Sequence, residues 1–131
     1  METNNRYFGW DEIMQAIRLI DPAWLEGVES VYGVMRGGTI PATLISHYFN
    51  LTMVEANDVD KNTLIVDNIV DNGKKLKEIS DLYFNLFGKE PITYTLCIRN
   101  NTRYKPKYYN DIIPHDIWVV FPWERETFNE R

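Results

Sequence analysis

The sequence predicts an α/β fold, in which one mainly parallel β-sheet is flanked by helices within a single domain spanning residues 1–131. The first observation is the order of the segments, because short apolar runs typical of strands alternate with helical segments, as in βαβ units. The second is Thr63–Val66, which is continuously apolar, as expected for a parallel strand covered on both faces. The third is the length, since 131 residues suit one compact core.

Three segments are predicted to be helices. The first begins at Trp10 and ends before Pro22, and its isoleucines recur at helical spacing on one face. The second begins at Thr39, a residue type that caps helices well. The third begins after Gly73 and ends at Gly88, because glycine commonly ends a helix.

Five segments are predicted to be strands. They are short runs rich in apolar or β-branched residues: Val31–Met35, Leu51–Glu55, Thr63–Val66, Ile92–Ile98 and Ile117–Phe121. Residues 1–9 and the basic, aromatic segment Asn100–Asn110 are predicted to lack regular structure. Two glycine-containing loops directly follow strands, so we expect them at the carboxyl edge of the sheet, where α/β proteins bind their ligands.

The composition limits what the protein can bind. The formal net charge is -5, so no general attraction to nucleic acid or to an anionic membrane is expected. A polyanionic ligand therefore needs a local site of basic side chains or backbone amides. No apolar run approaches the roughly 18 residues of a membrane span, no signal-peptide pattern is present, and Cys97 has no second cysteine to pair with. These features predict a cytoplasmic protein.

Acidic and basic residues cluster directly after the strand Thr63–Val66. Asp67 and Asp71 are followed by Asn72, Gly73 and two lysines at the start of the third helix. A helix start offers unpaired backbone N–H groups and the positive end of the helix dipole, which favours a phosphate. Carboxylates would repel that phosphate, so we expect them to bind sugar hydroxyls or Mg²⁺. The alternative interpretation is a plain strand–turn–helix connection with a solvated acidic turn.

Four segments of the chain resemble, in the same order, the type I phosphoribosyltransferases. Leu64–Lys75 (LIVDNIVDNGKK) resembles the family's fingerprint for phosphoribosyl pyrophosphate (PRPP), and Val34–Pro41 (VMRGGTIP) resembles its pyrophosphate loop. Trp10-Asp11 opens the first helix as in the bacterial xanthine–guanine enzymes of this family. Ile113–Glu124 (IPHDIWVVFPWE) is similar to the purine-binding segment of the same enzymes. Together the matches cover most of the chain.

The resemblance implies a reaction in which a purine base takes the phosphoribosyl group of PRPP, giving a nucleoside monophosphate and pyrophosphate. The expected acceptor is a 6-oxopurine, meaning guanine, xanthine or hypoxanthine, in purine salvage. The expected cofactor is Mg²⁺, which neutralises the leaving pyrophosphate. The resemblance also implies a homo-oligomer, either a dimer or a tetramer.

The resemblance assigns PRPP binding to three groups of residues. The pyrophosphate is expected on the loop that follows the first strand, held by backbone N–H groups and one guanidinium. The ribose hydroxyls are expected at Asp67, directly or through the metal, and the 5′-phosphate on residues 72–75. The full predicted set is Arg36, Gly37, Gly38, Asp67, Asn68, Asp71, Asn72, Gly73, Lys74 and Lys75.

The predicted catalytic residues are Asp71 and Asp67. Asp71 stands where the family places the carboxylate that meets the purine N7, as a candidate general acid or base. Asp67 stabilises the positive charge that develops on the ribose. The alternative for either aspartate is a turn-capping role.

The purine is expected to contact Asp71, Arg99, Trp118 and Val119. A cation at Arg99 selects a carbonyl group over an exocyclic amine, so it favours 6-oxopurines over adenine. Trp118 would stack on the base and the Val119 backbone would bind its edge; the alternative for Trp118 is core packing. The predicted metal ligands are then Asp67, Asn68 and Glu124, although Glu124 also suits an exposed surface position.

Several positions depart from the family's pattern. Asn68 stands where a second acidic residue is usual, which should weaken metal and sugar binding. Asn72 replaces a Thr or Ser, and Lys75 replaces a small hydroxyl residue. The short connection Ala56–Asn62 stands where the family has a long loop that closes over the site. The chain is therefore predicted to be a purine phosphoribosyltransferase, with a non-catalytic sensor of PRPP or a nucleotide as the alternative.

Overall fold

The computed structural model describes residues 4–124, and within them it has seven strands, three α-helices and two short 3₁₀ helices. The strands are β1 (Asn5–Tyr7), β2 (Ser30–Gly33), β3 (Thr52–Met53), β4 (Thr63–Val70), β5 (Ile92–Arg99), β6 (Tyr108–Ile113) and β7 (Trp118–Val120). The α-helices are α1 (Trp10–Arg18), α2 (Thr39–Phe49) and α3 (Lys74–Phe87), and the 3₁₀ helices are Pro22–Leu25 and Ala56–Asp58. The expected single domain over residues 1–131 extends beyond the described part and stays a prediction.

The main sheet confirms the predicted fold class. It contains five strands in the order β3-β2-β4-β5-β6, and every neighbouring pair is parallel. The carboxyl ends of these strands therefore share one edge, and the loops after β2, β4, β5 and β6 leave from it. Among residues 4–124, no helix is long and apolar enough to cross a membrane.

Strand β4 is buried on both faces, as its continuous apolar sequence predicts. Leu64, Ile65 and Val66 are fully buried. Leu64 and Val66 belong to the larger apolar cluster with residues of α1 and α2, whereas Ile65 belongs to a second cluster that includes Tyr83 of α3. Burying one such side chain stabilises the fold by about 1.5–3 kcal/mol. The carboxyl end of β4 is thus held in place by apolar packing on both faces of the strand.

Strand β4 also runs further than predicted. It continues to Val70, and Asp67 pairs in register with Thr95 of β5 while Ile69 pairs with Cys97. Asp67 and Asn68 therefore lie within a strand and not in a loop. The polar residues obscured this extension in the sequence, because they are unusual in strands.

Two strands were missed by the sequence-based prediction. Residues 1–9 were expected to lack regular structure, yet β1 forms a separate two-stranded parallel sheet with β7. The segment Asn100–Asn110 was also expected to be irregular, yet β6 begins at Tyr108, whose ring stacks on Trp24 at 4.4 Å. Both strands are polar and depend on distant partners, so a local pattern does not reveal them.

The connection between β3 and β4 is as short as the sequence indicates. It holds the 3₁₀ helix Ala56–Asp58 and a turn in which Asp60 accepts the N–H groups of Asn62 and Thr63. Thr63 Oγ1 in turn accepts the N–H of Asp60 at 2.9 Å. The connection is thus a hydrogen-bonded turn, too short to fold over the carboxyl edge of the sheet.

Candidate functional site

The loop between β2 and α2 is held close to the end of β4 by its glycines. A Cβ on Gly38 would lie 2.4 Å from the carbonyl oxygen of Val66, and a Cβ on Gly37 would lie 2.6 Å from Nδ2 of Asn68. A larger residue would therefore push this loop away from β4. The Gly38 N–H donates to the carbonyl oxygen of Val34 at 2.9 Å. That N–H is already in use, which corrects the expectation that it binds pyrophosphate; Gly38 is a packing residue here.

The tip of the same loop presents unpaired donors. Arg36 is exposed and Gly37 is half-buried. Within residues 4–124, neither of their backbone N–H groups donates to a protein acceptor, and the Arg36 guanidinium has no carboxylate partner. One guanidinium and two free N–H groups suit an anion.

Two polar side chains, Asp67 and Asn68, lie toward the end of β4. Burial raises the pKa of the Asp67 carboxyl to about 6, although the Asn68 N–H and the nearby Lys75 ammonium both lower it. Asp67 Oδ1 accepts the Asn68 N–H at 2.8 Å, and Asn68 Oδ1 accepts the Ile69 N–H at 2.9 Å. Asp67 keeps its second oxygen for a ligand, whereas the amide oxygen of Asn68 is already engaged.

The start of α3 packs against the loop that follows β5. Gly73 has φ of 87°, in the left-handed region that favours glycine, and a Cβ there would lie 2.7 Å from Cβ of Tyr104. The Arg103 N–H donates to the Asn72 carbonyl oxygen at 3.2 Å. Asn72 Oδ1 accepts the Lys74 N–H at 2.8 Å, so this side chain takes one N–H that a phosphate would otherwise use.

Arg99, the last residue of β5, ties three segments together. Its Nε donates to Asp71 Oδ1 at 3.0 Å, and its Nη1 donates to the carbonyl oxygens of Pro114 and Ile117. The Arg99 side chain is largely buried, whereas that of Asp71 is 71% exposed. Arg99 therefore fixes the orientation of Asp71 and the position of the loop before β7, and it keeps Nη2 for a ligand.

Trp118 and Val119 begin β7 and present different groups to the site. The indole of Trp118 is 57% exposed, which excludes the alternative that it is a core residue. The Trp118 N–H donates to the Asn4 carbonyl oxygen, and the Val120 carbonyl oxygen accepts the Phe8 N–H. Trp118 and Val120 therefore turn their backbone groups toward β1. Because alternate residues of a strand point their backbone groups to opposite sides, the N–H and C=O of Val119 face away from β1.

Two neighbouring cavities are lined by the predicted site residues other than Gly38 and Val119. The Gly37 cavity, of about 810 Å³, is lined by residues that include Arg36, Gly37, Asp67, Asn68, Lys75 and Glu124. The Trp118 cavity, of about 1140 Å³, is lined by residues that include Asn72, Gly73, Lys74, Arg99 and Trp118. Asp71 lines both cavities and marks their junction.

Lys75 lies on the side of the Gly37 cavity. Its Nζ donates to the carbonyl oxygen of Met35 at 3.1 Å, which links the first turn of α3 to the β2–α2 loop. Lys74, one residue earlier, lines the Trp118 cavity instead. The two lysines therefore serve different cavities, which differs from the expectation that both hold one phosphate.

The predicted metal ligands meet in the Gly37 cavity, where Asp67 and Glu124 each use one carboxylate oxygen within the protein and keep the other. Glu124 Oε1 accepts the Phe121 N–H at 2.8 Å and so closes the turn after β7. Within residues 4–124, no group of three or more His, Cys, Asp and Glu side chains is placed to hold a metal ion. Mg²⁺ commonly binds through one or two carboxylates together with substrate phosphates. The donor set fits that mode, in which Asp67 is the main protein ligand.

Several residues that line the Trp118 cavity were not singled out as ligand-binding from the sequence. They come from the loops after β5 and β6 and from the second turn of α3, namely Lys77, Asn101, Arg103, Tyr104, His115 and Asp116. His115 is held by Asn100, whose Oδ1 accepts the His115 N–H at 3.0 Å. The basic, aromatic composition of residues 100–110 is the sequence signal that could have found several of them.

The comparisons with known proteins agree with this geometry. No protein-family model matches the chain. The xanthine-guanine phosphoribosyltransferase of Cereibacter sphaeroides is 25% identical over 150 residues, covering 90% of this chain and 86% of that protein. The crystal structure of purine phosphoribosyltransferase from Pyrococcus horikoshii is similar with a TM-score of 0.80 and 26% identity, covering 93% of this chain and 95% of the other.

A further structure has the same fold. The xanthine-guanine-hypoxanthine phosphoribosyltransferase of Helicobacter pylori matches with a TM-score of 0.83 and 20% identity, and 98% of each chain is covered. The fold and the order of the site loops agree with these comparisons. The chain is thus similar in sequence to xanthine-guanine and purine phosphoribosyltransferases, and it has their fold.

Proposed function

We propose that this protein is a purine phosphoribosyltransferase, which transfers the phosphoribosyl group of PRPP to a 6-oxopurine in purine salvage. The observation that carries the proposal is the position of Asp71, which lines both the Gly37 cavity and the Trp118 cavity. A carboxylate at this junction can reach a purine base in the Trp118 cavity. It can also reach C1 of the ribose, the carbon that lies between the base and the pyrophosphate. The chain's relatives named above are enzymes of this class.

The reaction divides between the two cavities. A ring nitrogen of the purine attacks C1 of the ribose, the bond between C1 and the pyrophosphate oxygen breaks, and a new bond joins the nitrogen to C1. The base loses a proton, which Asp71 accepts as general base. Arg99 holds the Asp71 carboxylate at 3.0 Å, so its orientation is set before the base enters.

PRPP is proposed to span the junction. Its 5′-phosphate lies on the start of α3, where Gly73 and Lys74 supply a backbone N–H and a positive charge. Its pyrophosphate lies in the Gly37 cavity against Arg36. Asp67 would lie beside the ribose and would hold Mg²⁺, in the mode in which this ion binds one carboxylate and substrate phosphates. Mg²⁺, when bound, supplies positive charge to the leaving pyrophosphate.

The purine is proposed to lie on the exposed indole of Trp118. Val119 offers a backbone N–H and C=O on the side away from β1 for the edge of the base. Arg99 uses Nε and Nη1 for its bonds to Asp71 and to the loop before β7, so its Nη2 is available to the base. A guanidinium N–H is a donor only, so it favours a 6-oxo group over an amine. Guanine, xanthine and hypoxanthine are therefore preferred to adenine.

The test is direct synthesis of a nucleotide. The purified protein is incubated with Mg²⁺, PRPP and one of guanine, xanthine, hypoxanthine or adenine, and products are separated by liquid chromatography and identified by mass. The expected result is the monophosphate of at least one 6-oxopurine and little product from adenine. PRPP binding without product from any base would overturn the proposal and favour the non-catalytic sensor, for which the short β3–β4 connection is the supporting feature.

We also propose that the protein forms a homo-oligomer, either a dimer or a tetramer, and that it is located in the cytoplasm. Sedimentation analysis of the purified protein tests the assembly.

A further inference from the structure

The Gly37 cavity carries cations of its own beside the carboxylates that could hold a metal ion. Two cations, Arg36 and Lys75, and three carboxylates, Asp67, Asp71 and Glu124, line it. Asp71 is paired with Arg99 outside this cavity, whereas Asp67 and Glu124 each accept one backbone N–H. The two cations therefore face two carboxylates that have no cationic partner elsewhere among the described residues.

Asn68 removes a charge from the same place. It is neutral, its Oδ1 is engaged by the Ile69 N–H, and its side chain packs against Gly37, where a Cβ would lie 2.6 Å from Nδ2. The Asn68 side chain therefore packs against the loop, and its neutral oxygen is a weaker metal ligand than a carboxylate. It also places no negative charge next to a polyanion in the cavity.

Lys75 adds a charge beside the expected pyrophosphate loop. Its Nζ lies 3.1 Å from the Met35 carbonyl oxygen, directly before Arg36 and Gly37 in the chain. This bond holds the ammonium at the loop while using one of its three donors. Two N–H donors and a full positive charge remain for an anion that binds at the loop tip. The ammonium is also close enough to Asp67 to lower the pKa of that carboxyl against the effect of burial.

We infer that Lys75 is a resident counter-cation for the diphosphate group, so that diphosphate binds in the Gly37 cavity without a divalent ion. This inference rests on the proposed function, because it assumes that the Gly37 cavity holds the diphosphate of PRPP. Mg²⁺ then adds to the binding instead of being required for it. Asn68 and Lys75 both depart from the family's pattern. Diphosphate binding without a divalent ion would account for both residues.

The test measures the binding of inorganic pyrophosphate by isothermal titration calorimetry, first with EDTA and then with millimolar Mg²⁺. The unmodified protein is expected to bind pyrophosphate in EDTA. Lys75→Gln keeps a polar side chain, one atom shorter, but removes its charge, and is expected to weaken that binding by about tenfold, as for the loss of one charge-assisted hydrogen bond. The loss should become smaller when Mg²⁺ is present.

Three variants serve as controls for this experiment. Lys75→Arg keeps the charge and should keep metal-free binding. Lys89→Gln removes an exposed lysine outside both cavities and should leave binding unchanged. Asn68→Asp restores a carboxylate and should make binding depend on Mg²⁺. Circular dichroism and thermal unfolding of each variant confirm that it is folded.

Two outcomes would overturn the inference. One is pyrophosphate binding by the unmodified protein only when Mg²⁺ is present. The other is metal-free binding that Lys75→Gln leaves unchanged. Either result leaves the proposed function standing if nucleotide is still formed with Mg²⁺. Metal-free pyrophosphate binding without nucleotide from any base would instead support the inference and overturn the proposed enzyme activity.

Discussion

The Gly37 cavity and the Trp118 cavity lie side by side, yet they are built in different ways. The Gly37 cavity is formed mainly where the loop after β2 meets the end of β4, and Gly38 packs there on the β4 backbone while Gly37 packs on the Asn68 side chain. The Trp118 cavity is formed by the start of α3 and by the loops after β5 and β6. Backbone contacts join the start of α3 to the loop after β5, and the Arg99 side chain joins Asp71 to the loop before β7.

This difference teaches how each cavity should respond to mutation. Backbone packing tolerates no added atom, so the Gly37 cavity should fail as a unit when a glycine is enlarged. In the Trp118 cavity, substitution of a single side chain should impair one function at a time. Asp71, which belongs to both cavities, should have the largest effect on turnover.

The largest effect is expected for Asp71→Asn. An amide cannot accept the proton of the base, so turnover should fall by about 10²–10⁴-fold. Pyrophosphate binding, measured by calorimetry, should stay within about threefold of the unmodified value because Arg36 and Lys75 are untouched. Asp58→Asn, in the exposed 3₁₀ helix between β3 and β4, is the control. Unchanged turnover in Asp71→Asn would remove this residue from the mechanism.

Gly38→Ala tests the backbone packing of the Gly37 cavity. The added Cβ would lie 2.4 Å from the Val66 carbonyl oxygen, so the β2–α2 loop must move. We expect a loss of about 1–3 kcal/mol in the free energy of unfolding and a rise in the KM for PRPP. Gly9→Ala is the matched control, since a Cβ there meets no heavy atom within 4 Å. Equal behaviour of the two variants would show that the loop is not tightly packed.

Trp118→Ala tests the side-chain construction of the Trp118 cavity. Loss of base stacking commonly costs about 1–3 kcal/mol, so the KM for the purine should rise by about 5- to 100-fold. The KM for PRPP should change little, because the Gly37 cavity is intact. Trp118→Phe keeps an aromatic face and should retain most of the affinity. If Phe were as harmful as Ala, stacking would not be the role of this side chain.

The smallest effect concerns stability and pH at Asp67. Burial raises the pKa of this carboxyl from 3.8 to about 6, so the folded protein keeps a proton that the unfolded chain has already lost. The contribution of Asp67 to the free energy of unfolding therefore becomes less favourable as pH rises between these values, and is constant above them. Asp67→Asn removes this dependence.

Denaturant titration near pH 4 and near pH 7 checks this expectation. At the higher pH, Asp67→Asn should be more stable than the unmodified protein by roughly 2 kcal/mol, and near the lower pH the difference should nearly vanish. A constant difference at both pH values would contradict the raised pKa. A variant that is less stable at the higher pH would show that the charged carboxylate stabilises this site.

Much of the fold was predictable because its signals are local. The continuous apolar run at β4 predicted a strand covered on both faces, and Gly88 predicted the end of α3, where its φ is 70°. The missed strands, β1 and β6, have polar residues and gain their stability from distant neighbours. The indole of Trp24, on which Tyr108 stacks, is an example of a partner that no local pattern reveals.

The roles of the candidate site residues stay predictions. Apart from Gly38, the residues assigned to the two glycine-containing loops line one of the cavities, and Asp71 lines both. The hydrogen bonds among them were not predictable, because they depend on side-chain directions. Gly38 was expected to offer an N–H that Val34 already occupies, and Asn72 was expected to wrap a phosphate but also caps its own helix.

The sequence by itself determined which segments form the sheet's core and which loops were expected to bind a ligand, because apolar runs, glycines and helix starts act over a few residues. Only the tertiary structure decided that Lys74 and Lys75 serve different cavities, that Arg99 holds Asp71, and that Trp118 is exposed. The physical reason is that these facts depend on the distance between side chains from separate strands and helices. That distance is set by how the sheet is ordered and packed, and not by spacing along the chain.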